Sequence, residues 1–117
     1  MKSLEKIKEN YIFRRAYSRG SALVSPYAVV YVMNNRFGNV RLGITVGKKI
    51  GNAVCRNRAK RVITAAFREC LPYISKGHDI VIVARTRILN VKSTDVLSEF
   101  KRLLTSSGVY AQLENNE

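Results

Sequence analysis

Residues 52–71 read Asn52-Ala53-Val54-Cys55-Arg56-Asn57-Arg58-Ala59-Lys60-Arg61-Val62-Ile63-Thr64-Ala65-Ala66-Phe67-Arg68-Glu69-Cys70-Leu71. At about 100° per residue, Cys55, Ala59, Val62, Ile63, Ala66, Phe67 and Cys70 fall on one stripe of a helix. Asn57, Arg58, Arg61, Thr64 and Arg68 gather on the opposite arc, with Lys60 on the border. Asn52 is the expected N-cap, because its side chain can accept an otherwise unpaired backbone N–H of the first turn. Pro72 stops the helix, since it disfavours helical geometry in the residue before it. Arg56 projects toward the apolar side, where its place in the first turn lets it reach past the core edge and fork onto a phosphate. The partial positive charge of the helix N-terminus adds to Lys48 and Lys49 just upstream. A solvated amphipathic helix is the plain alternative, and a surface this basic with a single acid near its far end argues against it.

Outward from this helix the pattern becomes extended. Gly47 to Asn52 reads as a loop, and Val40 to Val46 as a strand. Tyr27 to Met33 is a second strand, rich in aromatic and β-branched residues, with Tyr27, Val29, Tyr31 and Met33 on one face and Ala28, Val30 and Val32 on the other. The turn-forming run 34–39 between them predicts a hairpin of these two strands. Ser21 to Val24 reads as a shorter strand, and residues 10–18 as a helix with Phe13, Ala16 and Tyr17 on one face, ended by Arg19-Gly20. Downstream, Ile80 to Ala84 is a short apolar run, expected as a buried strand, with His78 in the loop before it. Ser93 or Thr94 is expected to cap a last helix whose face is Val96, Leu97, Phe100, Leu103 and Leu104, ending near Gly108. Three or four strands mixed with three helices give an α+β fold, and a long helix between two strands allows one parallel pair in a mostly antiparallel sheet. The chain shows no linker, so 1–117 is expected to form a single domain, with flexible ends at 1–8 and 110–117.

Composition bounds the partner. The 117 residues carry 21 Lys+Arg against 8 Asp+Glu, a formal net charge of +13. Not one acid lies between Glu9 and Glu69, a stretch that holds Arg14, Arg15, Arg19, Arg36, Arg41 and all the cations of the central helix. A basic surface that is merely solvated intersperses carboxylates to relieve self-repulsion, so a polyanion is expected to fill that role, and nucleic acid fits best. Tyr11, Phe13, Tyr17, Tyr27 and Tyr31 interleave with Arg14, Arg15 and Arg19, a mixture that suits stacked single-stranded bases; Tyr17 and Tyr27 fit a core role equally well. No run approaches a membrane span, and the start Met1-Lys2-Ser3-Leu4-Glu5-Lys6 lacks a secretory signal, so a cytoplasmic protein is expected.

Other chemistries lack their residues. Cys55 and Cys70 would stand about 22 Å apart along one helix at ~1.5 Å per residue, too far for a disulfide, and they lack the spacing of a zinc site. His78 is the single histidine, which leaves a Ser-His-Asp relay without support. The acids avoid the basic centre, so a protein-held catalytic metal has no ligands there. Gly43, Gly47 and Gly51 do not match a phosphate-cradling loop. The protein is expected to break no bond with its own side chains.

The run Arg41-Leu42-Gly43-Ile44-Thr45-Val46-Gly47-Lys48-Lys49-Ile50-Gly51-Asn52-Ala53-Val54-Cys55-Arg56-Asn57-Arg58-Ala59-Lys60-Arg61 resembles the signature of the protein subunit of bacterial ribonuclease P. Phe13 and Tyr17 before Gly20, the strand with Tyr31, and Asp79 to Arg85 extend the likeness over most of the chain. The resemblance implies an αβββαβα order similar to ribosomal protein S5 domain 2, with a four-stranded mixed sheet and a left-handed βαβ crossover. It also implies that the protein is no catalyst itself. A partner RNA holds the Mg²⁺ ions and removes the 5′ leader of precursor tRNA, with no organic cofactor. Lys48, Lys49, Arg56, Asn57, Arg58, Lys60 and Arg61 match the motif that contacts this ribonuclease P RNA. Phe13, Tyr17, Val29 and Tyr31 match positions of a leader-binding cleft between the long helix and the sheet. Thr64 departs from the pattern, for the family usually carries Arg or Lys there; either that contact is dispensable or Arg68, one turn later, reaches the same phosphate. Gly47 stands for a commoner Ser. A ribosomal protein or RNA chaperone fits the charge as an alternative; a helix-turn-helix DNA binder fits only the basic helix, and a protein-only nuclease would need clustered acids or histidines. Oligomerisation is left open.

Overall fold

The computed structural model describes residues 4–110. Strands β1 (Leu4–Lys6), β2 (Ser21–Val24), β3 (Ala28–Asn34), β4 (Val40–Thr45) and β5 (His78–Ala84) alternate with helices α1 (Asn10–Arg19), α2 (Ala53–Cys70) and α3 (Ser93–Ser107). They form one mixed sheet in the order β1-β4-β5-β3-β2. The αβββαβα order holds, with one strand added in front, so the sheet has five strands rather than four. The added strand, β1, pairs in parallel with Val40–Leu42 of β4 and lies within the end for which no structure is expected. At the other end Tyr110 bridges Ile74. Residues 1–3 and 111–117, which complete the ends expected to be flexible, lie outside the described residues.

The anticipated hairpin of β3 and β4 does not form. β5 lies between them, antiparallel to β3 and parallel to β4. The apolar run of β5 suits that central place, with Ile80, Val81 and Ile82 all buried between helices that cover both faces of the sheet. The hairpin is instead β2–β3, closed by Ser25-Pro26-Tyr27, where the Ser25 N–H donates to the Ala28 carbonyl at 2.9 Å. His78 opens β5 rather than sitting in a loop; its Nδ1 lies 2.9 Å from the Ser75 carbonyl oxygen and so carries the donated proton.

Helices cover both faces. Ala28, Val30 and Val32 of β3, Val40 and Leu42 of β4, and Ile80 and Ile82 of β5 pack under α2 and α3. The apolar stripe read from the sequence is the buried one, with Ala59, Ile63, Ala66, Phe67 and Cys70 inside and Cys55 and Val62 half-buried. Both thiols are free, and burial pushes the Cys70 thiol up to about 11. On the other face Val81 meets Ile12 and Ala16 of α1 together with Ile7, and Phe13, Tyr31 and Met33 pack around them. Gly43 is required for that contact, because a Cβ there would sit 2.7 Å from the Phe13 ring.

Caps and stops follow local chemistry. Asn52 caps α2, its Oδ1 accepting from the Cys55 N–H at 3.0 Å. Gly51, at φ 134°, takes a backbone shape that a side chain would strain and turns the chain into that cap. Lys92, not Ser93 or Thr94, holds the cap position of α3, and the Asp95 carboxylate accepts its N–H at 3.0 Å. Gly108 ends α3 in the left-handed conformation, as its position suggests.

Candidate nucleic-acid interface

Strand β1 is only three residues long, so it covers the outer edge of β4 at Val40–Leu42 and leaves Gly43–Thr45 without a neighbour among the described residues. α1 and α2 rise on either side of this uncovered edge. Two adjoining recesses fill the gap. One, of about 290 Å³, is lined by Leu4, Lys6, Ile7, Phe13, Leu42, Ile44, Lys60, Thr64 and Arg68. The other, of about 470 Å³, is lined by Asn10, Phe13, Arg14, Tyr17, Ile44, Thr45, Val46 and Lys60. Phe13, Ile44 and Lys60 belong to both, so they form one groove with an aromatic and aliphatic floor and cationic walls.

The candidate leader-cleft residues separate here. Phe13 and Tyr17 line the groove, and Tyr17 is held by a 2.7 Å hydrogen bond with Thr45 Oγ1. Tyr31 stands behind Tyr17, ring edge to face at 5.3 Å between centroids. Val29 lies on the same face of β3 but does not line either recess. Asn10 is a groove residue the sequence reading passed over, and Arg14, singled out there only for its place among the aromatics, joins it; Asn10, Phe13, Arg14 and Tyr17 recur at i, i+3, i+4 and i+7 on one helix face.

The cations of α2 sort into three directions. Lys60 and Arg68 turn toward the groove, with Thr64 between them. Thr64 is thus a groove residue, and the short side chain leaves space where a longer one would reach in. Asn57 and Arg61 point outward to solvent. Arg58 departs from the exposed arc on which the helical projection put it: its Nη1 and Nη2 donate to the carbonyls of Leu89 and Val91, both at 3.3 Å. Arg58 and Lys60 stand about 160° apart around the helix axis, one on each flank of the buried stripe. Arg56 is half-buried.

Lys48 and Lys49 form a 3₁₀ turn (Lys48–Ile50) beside a second one (Thr86–Asn90). Together with Thr45, Val83, Arg85 and Thr86 they line a recess of about 540 Å³ beyond the carboxyl ends of the parallel pair β4 and β5. Among the described residues Lys48, Lys49, Arg56, Lys60, Arg61 and Arg68 make no ion pair or hydrogen bond through their side chains. Four of the acids are occupied elsewhere: Asp79 with Arg41, Glu99 with Arg102, Asp95 at the α3 cap, and Glu5 with the Asn39 amide. The Arg102 hydrogen bond holds the Glu99 carboxyl below its usual range. Among the described residues Arg41 is the ion-paired cation of the acid-free stretch. Its Nε and Nη2 donate to Asp79 at 2.7 and 2.6 Å, and this hydrogen bonding raises its already high proton affinity.

No group of three or more His, Cys, Asp or Glu among the described residues could hold a metal ion, and no described helix is long and apolar enough to cross a membrane. The arrangement sets unpaired cations around an aromatic and aliphatic floor.

The likeness to known proteins covers the same elements. The sequence profile described as Ribonuclease P matches residues 1–108. The Ribonuclease P protein component of Thermoanaerobacter sp. (strain X514) is 34% identical over 110 residues, which is 94% of this chain and 95% of the relative. The solved RNase P protein of Staphylococcus aureus superimposes with a TM-score of 0.79 at 34% identity, covering 90% of this chain and 96% of that one. The Thermotoga maritima RNase P protein gives 0.77 at 31%, covering 87% and 96%. With the groove, the basic helix and the five-stranded sheet all inside the matched span, the chain belongs to the bacterial ribonuclease P protein family.

Proposed function

We propose that this chain is the protein subunit of a ribonuclease P ribonucleoprotein, acting in the cytoplasm on precursor tRNA. The single observation that carries this reading is the groove at the uncovered edge of β4. It has an aromatic floor, Phe13 and Tyr17, and cationic walls, Arg14, Lys60 and Arg68. A single strand of RNA stacks bases on such a floor and lays phosphates on such walls, each stacked base contributing about 1–3 kcal/mol. Tyr31 backs Tyr17, and Val29 extends that face for nucleotides beyond the groove.

Lys48, Lys49, Arg56, Asn57 and Arg61 face the catalytic RNA, with Lys60 and Arg68 shared between that RNA and the leader. Arg58 serves the same surface. The Mg²⁺ ions belong mainly to the partner RNA and supply the chemistry of phosphodiester hydrolysis. This chain's residues lower repulsion between two polyanions and so reduce the Mg²⁺ needed to dock the substrate. They also favour precursor over product, because mature tRNA has lost the segment that the groove grips. The parallel unit β4–α2–β5 supplies the crossover of the accompanying fold reading, a sheet like that of ribosomal protein S5 domain 2, whose left hand comes from the resemblance.

Reconstitution tests the proposal. Added to a ribonuclease P RNA at low Mg²⁺, the chain is expected to restore cleavage of precursor tRNA at the mature 5′ end. No stimulation over RNA alone, or cleavage by the protein without RNA, refutes it.

A further inference from the structure

The segment after β5 carries two cations, Arg85 and Arg87, and it is held at three points. The Arg85 N–H donates to the Tyr27 carbonyl at 2.9 Å and fixes the start. Ile88 is fully buried in the main core. At the far end Arg58 reaches from α2 and donates to the carbonyls of Leu89 and Val91. Between these anchors Arg87 is exposed, on a turn that packs against α2 and against the Lys48–Ile50 turn.

We propose that Arg58 is a positioning residue: it clasps the 86–91 loop onto α2 and so presents Arg87 to RNA phosphates beside Lys48, Lys49 and Arg61. This rests on the RNA-binding reading above and deepens it. A guanidinium is suited to the task. Its fork spans two carbonyls at once, which a single ammonium on a flexible stem does not reproduce. Those two carbonyls lie at the exit of the 3₁₀ turn. A guanidinium with two of its N–H groups engaged on the protein is also poorly placed to form a bidentate fork with a phosphate, so Arg58 and Arg61 have different tasks although both lie on α2.

The charge-preserving variant separates clasp from direct contact. Arg58→Lys keeps the cation and loses the fork; Arg61→Lys is its control. Binding of the full chain to ribonuclease P RNA is measured across a salt series, with hydrogen exchange of the 88–91 amides followed in the free protein. A cation that touches phosphate contributes about one unit to the log–log salt slope. The clasp predicts that Arg58→Lys and Arg87→Ala each weaken binding about tenfold and lower the slope by about one, and that combining them adds little further. It also predicts faster exchange at 88–91 in Arg58→Lys alone, while Arg61→Lys leaves that exchange unchanged. Wild-type affinity in Arg58→Lys, unaltered loop exchange, or full additivity with Arg87→Ala overturns the proposal and leaves the RNA-binding reading standing. Failure of the unmodified chain to bind that RNA overturns both.

Discussion

Replacing Asp79 by alanine removes three acceptor contacts at once: two from Arg41, at 2.7 and 2.6 Å, and one from Asn35 Nδ2 at 2.8 Å. The carboxylate side chain is 4% exposed and the guanidinium 18%, lying over the Phe37 ring at 4.7 Å. Breaking a buried ion pair by deleting one member costs about 3–5 kcal/mol, because the remaining charge stays desolvated. Arg41 retains some access to water, which relieves part of that penalty, so Asp79→Ala is expected to cost about 2–4 kcal/mol. Deleting Arg41 instead strands the more buried carboxylate and is expected to reach the upper end, about 3–5 kcal/mol. The double variant is expected to lose less than the two single losses combined. Urea unfolding at neutral pH reads these values directly, and for a chain of this size each kcal/mol lowers Tm by roughly 3–6 °C. A loss below about 1 kcal/mol in Asp79→Ala refutes the assignment of this pair as a structural tie. RNA binding gives the complementary reading: Arg41→Ala is expected to leave the salt slope of assembly unchanged, since that cation is already neutralised by its partner.

Phe13→Ala is expected to narrow the affinity gap between precursor and mature tRNA by a factor reflecting about 1–3 kcal/mol of lost stacking, with holoenzyme assembly intact, as measured by parallel titrations of both tRNAs. Arg61→Ala is expected to keep Tm within about 2 °C, as a surface substitution should, and to lower the salt slope of RNA binding by about one. Thiol titration at pH 8 is expected to find one fast cysteine, Cys55. The buried Cys70, with its proton affinity pushed up to about 11, exposes almost no thiolate at that pH and is expected to react only as the chain unfolds; equal rates for the two refute that environment.

The helix at the centre was legible because its period is its cause. Apolar residues at i, i+4, i+7 and i+8 bury one stripe whatever lies beneath, and Asn52 announces the cap. Faces of strands were legible for the same reason, and Ala28, Val30 and Val32 do point into the core. Strand order was not, because alternation fixes which side faces inward and says nothing of which neighbour lies alongside. β5 displaced the expected hairpin by pairing with both of its strands. β1 escaped notice since three residues, Leu4-Glu5-Lys6, hold no pattern long enough to register. At the site, Phe13 and Tyr17 line the groove for which they were candidates, whereas Lys60 and Arg68, read as contacts for the catalytic RNA, turn toward the same groove. The partners of Arg41 and Arg58 lie 38 and more than 30 residues away in sequence, and no local rule distinguishes an arginine bound to its own fold from one awaiting a phosphate.

The short reach of β1 has a consequence for life in a crowded solution. Bare strand margins invite another polypeptide to zip on, which is how sheets grow into aggregates. Here the bare margin at Gly43–Thr45 is ringed by Lys6, Arg14, Lys60 and Arg68, and any sister molecule approaching it brings +13 of its own. By its charge, the ring proposed to hold a ribose-phosphate thread is expected to turn away a copy of itself.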